Sequence, residues 1–182
     1  IVEVASNDGT FLKPFKKKKR IVLGIDPAKN IARMANDEGI NTISDFFNYE
    51  CSLKILKKYG EADIIFARNV IPHVKDIHSV IKGMANLLSE KGTGIIEFHY
   101  SKIIQDELHY DSIYHEHLFY FTINTLMTLC NKYGLFAYDV DKSPISGGSV
   151  VLYFSKLKKN KTAKLKKIIN IENSKQINTL VK

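Results

Sequence analysis

Short apolar runs alternate with helix-like stretches along most of the chain. This alternation predicts repeated β-α-β units, in which successive strands pair in parallel. The predicted strands of this region cover residues 1–5, 20–25, 40–44, 62–67 and 94–98. The predicted helices cover residues 10–15, 28–39, 51–59, 77–88 and 122–133. The run at 62–67 is apolar on both faces, which is typical of a central parallel strand.

The last two apolar runs, at residues 135–141 and 148–155, are separated by only six residues. A connection this short joins antiparallel neighbours, because a parallel crossover needs a dozen residues or more. We therefore predict an α/β fold whose mostly parallel sheet ends in an antiparallel hairpin.

Length and composition limit the class of protein. The chain has 182 residues, of which 45% are hydrophobic, and this is enough for one domain with a full core. No apolar run approaches the length of a membrane span and no signal-peptide pattern is present, so we expect a soluble, cytoplasmic protein with no membrane partner. Cys51 and Cys130 are isolated from each other, which favours neither a disulfide framework nor a cysteine-based zinc site.

The net charge of +8 comes mainly from a basic run at residues 16–20 and a basic tail at 156–182. Basic runs can bind nucleic acid, but no aromatic side chains interleave these two, so we expect solvated surfaces and no nucleic-acid partner. The tail has a helix-like pattern without a core of its own. We predict a catalytic domain at 1–155 and a lysine-rich helical linker at 156–182 that leads to a further domain outside this chain.

The ends of the first two predicted strands carry a cofactor pattern. A polar loop follows the first strand and contains Ser6, Asn7, Asp8 and Gly9. Asp26 follows the second strand, where a carboxylate can accept hydrogen bonds from both hydroxyls of a ribose. The loop lacks the Gly-x-Gly-x-x-Gly motif, and its carboxylates, which include Glu3, favour a ligand with a cationic end over a pyrophosphate. S-adenosylmethionine, with its sulfonium and amino groups, is the predicted cofactor.

Further cofactor contacts are predicted at the ends of the next strands. Asp45 can accept from an adenine amino group, and the ring of Phe46 can stack on the base. Asn69 and Val70 end the fourth strand and would line the methionine part of the cofactor, while Pro27 follows Asp26 at the ribose.

Four of these residues also have a purely structural interpretation. Asp8 and Asp26 could cap the helices that follow them. Glu3 could organise the first loop, and Phe46 could be a core residue after a surface turn.

Four stretches of the chain, at residues 3–12, 69–76, 113–120 and 145–149, resemble the sugar C-methyltransferase family. Members of that family methylate a carbon of nucleotide-linked keto-deoxysugars. The resemblance implies a class I S-adenosylmethionine-dependent methyltransferase with a Rossmann-like sheet. It also implies that this chain is the central catalytic portion, between an N-terminal zinc-binding domain and a C-terminal domain. Ala5 stands where family members usually have glycine.

The resemblance further implies which residues perform the chemistry. His117, oriented by Glu116, would remove the proton next to the 4-keto group, and Tyr114 and His73 would donate to or position the enolate oxygen. Tyr114 and His117 would converge if the segment forms a turn. The neighbouring histidines lack a third ligand at a known spacing, so we predict no metal site.

Two alternatives remain open from the sequence. One is a methyltransferase that acts on oxygen or nitrogen of another small molecule. The other is a truncated or degenerate domain that keeps the fold without activity. No role is predicted for His78, His99 or His109.

Overall fold

The computed structural model describes residues 1–174, apart from the side chain of residue 146, so residues 175–182 of the predicted linker lie outside the described part. The strands β1–β7 are Val2–Val4, Leu23–Ile25, Thr42–Ile43, Ala62–Arg68, Leu88–His99, Phe136–Ser143 and Ser149–Ser155. The helices α1–α7 are Lys13–Lys17, Lys29–Asp37, Tyr49–Tyr59, Ile77–Leu87, Ser101–Asp106, Ile123–Asn131 and Ala163–Asn173. Within residues 1–174 no helix is long and apolar enough to cross a membrane.

The strands form one sheet in the order β3-β2-β1-β4-β5-β7-β6. Strands β1 to β5 pair in parallel, whereas β7 runs antiparallel to both β5 and β6. The prediction of a mostly parallel sheet that ends in an antiparallel hairpin is therefore confirmed. The carboxyl ends of β1, β2 and β4 therefore meet at one edge of the sheet. From β1 the chain first adds β2 and β3 on one side and then adds β4 and β5 on the other, and ligands of α/β sheets bind at such a switch point.

The burial of β4 confirms the prediction that it is a central strand. Ile65 and Ala67 of β4 are fully buried and Phe66 between them is 8% exposed, so both faces of this strand are covered. Sheet residues and helices α3, α4 and α6 contribute to one large apolar cluster. A smaller cluster of Leu12, Val22, Ala35 and Ile40 lies apart from it.

Helix α2 buries a narrower stripe than the sequence suggested. The helical spacing of Ile31, Met34 and Ala35 predicts one shared apolar face, but Met34 is 52% exposed and the buried residues of α2 are Ala32 and Ala35. The difference arises because α2 packs against β3, an edge strand of two residues that covers little of the helix.

Helix α7 packs against β6 and α6. Leu165 of α7 is fully buried, and Glu172 is 3% exposed. The carboxylate of Glu172 accepts hydrogen bonds from the backbone N–H groups of Ile123 (2.7 Å) and Asn124 (2.8 Å) and from the hydroxyl of Tyr100 (2.6 Å). The start of α6 is thus capped by a side chain from a distant helix. The domain boundary at residue 155 stays a prediction.

Candidate functional site

Two cavities lie at the carboxyl edge of the sheet, on either side of the segment that follows β4. The first, of about 500 Å³, is here called the β1–β2 cavity, and among the residues that line it are Ala5, Pro27, Phe46, Val70 and His73. The second, of about 310 Å³, is called the histidine cavity; residues that line it include Asn69, His73, His99, Asp111, Tyr114 and His117. His73 lines both cavities, so they meet at this residue.

The loop after β1 makes a sharp turn beside the β1–β2 cavity. Ala5, Asn7 and Gly9 have φ angles of 54°, 51° and 75°, which lie in the left-handed region. Gly9 has no room for a side chain, because an added Cβ would lie 2.8 Å from Cγ2 of Ile40. Ser6 is 3% exposed, and its hydroxyl oxygen is buried without a hydrogen-bond partner among the described residues. The left-handed backbone explains why glycine suits position 5, where this chain has alanine.

Asp26 connects two loops. Its Oδ2 accepts a hydrogen bond from the backbone N–H of Asn7 and its Oδ1 from that of Ala28, both at 2.9 Å. Asp26 is 8% exposed, and its neighbour Pro27 lines the β1–β2 cavity. The interpretation of Asp26 as the cap of α2 is wrong, because Ala28 precedes the first turn of this helix and no side chain of the described residues caps it; Asp26 instead orders the two loops by this geometry. Each oxygen keeps a second lone pair, so a ribose role stays compatible with it as a prediction.

Asp8 closes the turn ahead of α1. Its carboxylate accepts hydrogen bonds from the backbone N–H (3.0 Å) and the hydroxyl (2.9 Å) of Thr10, and these bonds lower the pKa of Asp8. Leu12, and not Asp8, is the residue that precedes the first turn of the helix, so α1 begins later than predicted.

Glu3 lies within β1 and is paired with a residue that the sequence did not single out. Its Oε1 accepts hydrogen bonds from Nε (3.0 Å) and Nη2 (2.8 Å) of Arg68, whose guanidinium lies 3.6 Å from the centre of the Phe11 ring. The other oxygen, Oε2, is buried and has no partner among the described residues. Burial raises the pKa of Glu3 to about 7, although the bonds and the charge of Arg68 lower it. Arg68 ends the apolar strand β4, which pairs with β1. A charged residue at this position was the signal in the sequence that could have indicated a partner for Glu3.

Phe46 and Asp45 follow β3. Phe46 is 72% exposed and lines the β1–β2 cavity, so the interpretation of Phe46 as a core residue is wrong; the buried ring is that of Phe47. Asp45 accepts a hydrogen bond from the backbone N–H of Phe46 at 2.8 Å, and its other oxygen lies 3.6 Å from Nζ of Lys54. Asp45 therefore holds the turn that presents the exposed ring.

A turn brings Tyr114 and His117 together in the histidine cavity. The backbone N–H of His117 donates to the carbonyl of Tyr114 (3.0 Å), and the Tyr114 hydroxyl lies 2.8 Å from Nε2 of His117. Nδ1 of His117 lies 2.9 Å from the carbonyl oxygen of Ser112. Because a carbonyl can only accept, Nδ1 carries the hydrogen, and in the neutral ring Nε2 accepts from Tyr114.

The expected pairing of Glu116 with His117 is wrong. Both ring nitrogens of His117 bond to other groups, namely Tyr114 and Ser112. The physical reason is the turn, which brings its first and fourth residues together and not its third and fourth. Glu116 contributes its main-chain carbonyl, which accepts from Nδ1 of His73 at 3.0 Å.

His73 lies between the two cavities, with its ring centre 4.7 Å from that of His117. Its Nδ1 donates to a carbonyl, so Nε2 of the neutral ring is an acceptor. The predicted donation from His73 to an enolate oxygen therefore requires the protonated ring.

Four residues of the histidine cavity carried no predicted role: Pro72, His99, Asp111 and Ser112. His99 is the last residue of β5, and Asp26 directly follows β2 at the same edge of the sheet. The argument from strand ends that identified Asp26 therefore applied to His99 as well. Within residues 1–174 no group of three or more His, Cys, Asp or Glu residues is arranged to hold a metal ion.

Comparisons with known proteins identify the kind of domain. A family model described as a methyltransferase domain matches residues 1–138. The C-methyltransferase NovU of Streptomyces niveus is 36% identical over 153 residues, which are 84% of this chain and 36% of NovU. The chain thus spans about a third of the length of this curated relative. The similarity confirms the resemblance inferred from the four sequence stretches.

Solved structures share the architecture. A S-adenosylmethionine-dependent methyltransferase of Thermotoga maritima has a TM-score of 0.62 at 19% identity, with 86% of this chain and 81% of that chain covered. The magnesium protoporphyrin IX methyltransferase of Synechocystis PCC 6803, solved with bound S-adenosylhomocysteine, has a TM-score of 0.63 at 11% identity, with 84% and 72% covered. The likeness at these identities concerns the fold, and it confirms the predicted class I architecture.

Proposed function

This chain belongs to the methyltransferase-domain family, and from that premise we propose that it transfers a methyl group to a carbon atom of a nucleotide-linked 4-keto-deoxysugar. The family gives the enzyme class, a methyltransferase that depends on S-adenosylmethionine, as predicted from the sequence. The relative named as a C-methyltransferase supports carbon as the accepting atom.

The β1–β2 cavity suits the cofactor in size and chemistry. Its volume of about 500 Å³ lies in the range of ligand-binding cavities, and the exposed ring of Phe46 offers a stacking surface for a base. Asp76 and Lys75 line the cavity, and Asp26 precedes Pro27 of its lining, so carboxylates are present near a ligand that carries positive charge. When bound, S-adenosylmethionine supplies a methyl group on a positively charged sulfur.

The histidine cavity suits the removal of a proton next to a ketone. Nε2 of His117 is the basic nitrogen of the neutral ring, and Tyr114 is the donor already in contact with it. If the keto oxygen of the acceptor takes the hydrogen bond of Tyr114, the lone pair of Nε2 becomes free at the same moment. One displacement thus prepares both the base and the donor that stabilises the enolate.

The observation that carries the proposal is the place of this pair. Tyr114 and His117 lie in a cavity that meets the β1–β2 cavity at His73. An acceptor carbon deprotonated by His117 would lie close to the cofactor cavity, and such positioning supplies much of the acceleration in a bimolecular transfer.

Exchange of the acceptor's proton with solvent tests the proposal. The full-length protein is incubated in D₂O with a dTDP-linked 4-keto-6-deoxysugar and S-adenosylhomocysteine, and loss of the proton signal next to the ketone is followed by NMR. We expect His117→Asn to slow the exchange by about 10²-fold or more, since general base catalysis is worth about 10²–10⁴-fold. The matched control is His78→Asn, because His78 is an exposed histidine that bonds to Tyr133 and lines neither cavity.

Unchanged exchange in His117→Asn would show that His117 is not the base. A product that carries the new methyl group on oxygen or nitrogen would refute C-methylation. It would support the alternative given in the sequence analysis, a methyltransferase that acts on oxygen or nitrogen.

A further inference from the structure

His99 and Ser149 are two buried polar residues that lie opposite each other on the neighbouring strands β5 and β7. They are paired in the antiparallel register of β5 and β7. Directly opposed residues of an antiparallel pair project from the same face, with their Cβ atoms about 4.5–5.5 Å apart. His99 also lines the histidine cavity and thus borders the proposed acceptor site, whereas Ser149 lies behind it and is fully buried.

Both side chains have an unsatisfied polar atom. Nε2 of His99 and the hydroxyl oxygen of Ser149 are buried and have no hydrogen-bond partner among the described residues. His99 is 9% exposed, and Ser149 is fully buried. Buried polar groups of native proteins are almost always paired, so two unpaired ones on neighbouring strands need an explanation.

The surroundings of His99 favour the neutral form of its ring. Burial lowers the pKa of His99, the imidazoles of His109 and His117 lower it further, and Asp111 acts in the opposite direction. The His109 ring centre lies 5.7 Å from that of His99, and Nε2 of His109 lies 3.1 Å from a carboxylate oxygen of Glu107. A neutral imidazole has one donor and one acceptor, which is the complement of a hydroxyl group and a poor match for an anion.

We infer that His99 determines acceptor specificity by binding a hydroxyl group of the sugar ring in the histidine cavity, while Ser149, which is fully buried and does not line that cavity, positions the His99 ring. The inference rests on the proposed function and adds the group that is recognised. Rotation of the His99 ring about its Cβ–Cγ bond exchanges its nitrogen and carbon positions, so a bound hydroxyl selects the orientation that presents a nitrogen.

Recognition of this kind has a signature that a structural role does not have. Replacing an unsatisfied buried polar group by an apolar one of similar size removes a penalty from the free protein. His99→Leu is therefore expected to raise the melting temperature by about 2–4 °C, while the KM for the acceptor rises about 10-fold. The affinity for S-adenosylhomocysteine stays unchanged.

The experiment compares three full-length proteins, wild type, His99→Leu and His99→Gln, on a dTDP-linked 4-keto-6-deoxysugar and on its 2-deoxy and 3-deoxy analogues. His99→Gln keeps a polar group near the position of Nε2 and is expected to restore most of the affinity. For one of the two analogues, wild type and His99→Leu should have the same KM, because the recognised hydroxyl is already missing. Ser149→Ala, a smaller change, should raise the KM for the same sugars.

Three outcomes overturn the inference. One is a KM that neither His99→Leu nor Ser149→Ala changes, which would mean that the pair holds only an ordered water. Another is an equal loss of affinity for the sugar and for both analogues, which would mean a structural role. If wild type binds S-adenosylhomocysteine but none of the sugars, the proposed acceptor is wrong and the inference falls with it.

Discussion

At the scale of single residues, the carboxylates at the edge of the sheet shape the loops on which they lie. Asp8, Asp26 and Asp45 each accept at least one backbone N–H bond from a nearby turn. The structural and functional interpretations of such residues are therefore not exclusive. A carboxylate that is held by two N–H groups is already oriented when a ligand arrives, and its second lone pairs remain available.

Asp26 is the residue at which the two roles can be separated. In Asp26→Ala the N–H groups of Asn7 and Ala28 lose their acceptor, and we expect the free energy of unfolding to fall by about 1–3 kcal/mol in a urea titration. The affinity for S-adenosylhomocysteine, measured by calorimetry, should fall about 10-fold or more. The control is Asp37→Ala, because Asp37 is exposed and its contact with Arg33 is 3.8 Å long. A destabilised variant that binds S-adenosylhomocysteine as tightly as wild type would refute a ribose role for Asp26.

At the scale of elements, the segment between β5 and α6 connects the histidine cavity to the rest of the fold. It contains α5 and the turn with Tyr114 and His117, and it is attached at both ends. The backbone N–H of Ser101 donates to the carbonyl of Phe121 at 3.0 Å, and the hydroxyl of Tyr100 donates to Glu172 of α7. The geometry of the candidate site therefore depends on a helix that lies far along the chain.

Glu172→Gln tests this attachment. The amide can accept fewer hydrogen bonds than the carboxylate, and its NH₂ group would face a backbone N–H or the hydroxyl of Tyr100. We expect the free energy of unfolding to fall by about 2 kcal/mol, measured by chemical denaturation, because a buried charged acceptor is lost. Glu61→Gln serves as the control, since Glu61 is exposed and should change stability by less than about 0.5 kcal/mol. Equal stability of the two variants would mean that Glu172 does not hold α6.

At the scale of the whole molecule, stability depends on a buried acid in the centre of the sheet. The folded-state pKa of Glu3 is about 7, above the value of 4.5 that applies to the unfolded chain. The folded protein thus binds this proton more tightly. Its contribution to stability is complete below about pH 4.5 and is lost as the pH rises through about 7.

The expected measurement is the difference in unfolding free energy between wild type and Glu3→Gln as a function of pH. The amide mimics the protonated acid at every pH, so wild type should lose stability relative to the variant between pH 5 and pH 8, by up to about 3 kcal/mol. Glu61→Gln should show no such trend. A difference that does not vary with pH would mean that the ion pair with Arg68 keeps Glu3 charged throughout.

The order of the elements, apart from the unpredicted helix α5, could be predicted because local pattern specifies it. Apolar runs of strand length, helix periodicity and a six-residue connection determine which segments are strands, which are helices and which pair antiparallel. The same reasoning located the loop at residues 6–9, Asp26 and the exposed ring of Phe46, because strand ends in a parallel sheet share one edge. Element ends were less accurate, as at α1, where the bonds of Asp8 to Thr10 delay the helix.

Partners that meet across the fold were decided only by the tertiary structure. The pairing of Glu3 with Arg68, of Tyr100 with Glu172, and of His99 with Ser149 joins residues separated by dozens of positions, and no local pattern encodes such distances. Even among residues 114–117, the geometry of the turn makes Tyr114, and not Glu116, the hydrogen-bond partner of His117. The sequence by itself thus determined which groups stand at the carboxyl edge, whereas packing decided which of them touch, because contact depends on the relative placement of whole elements.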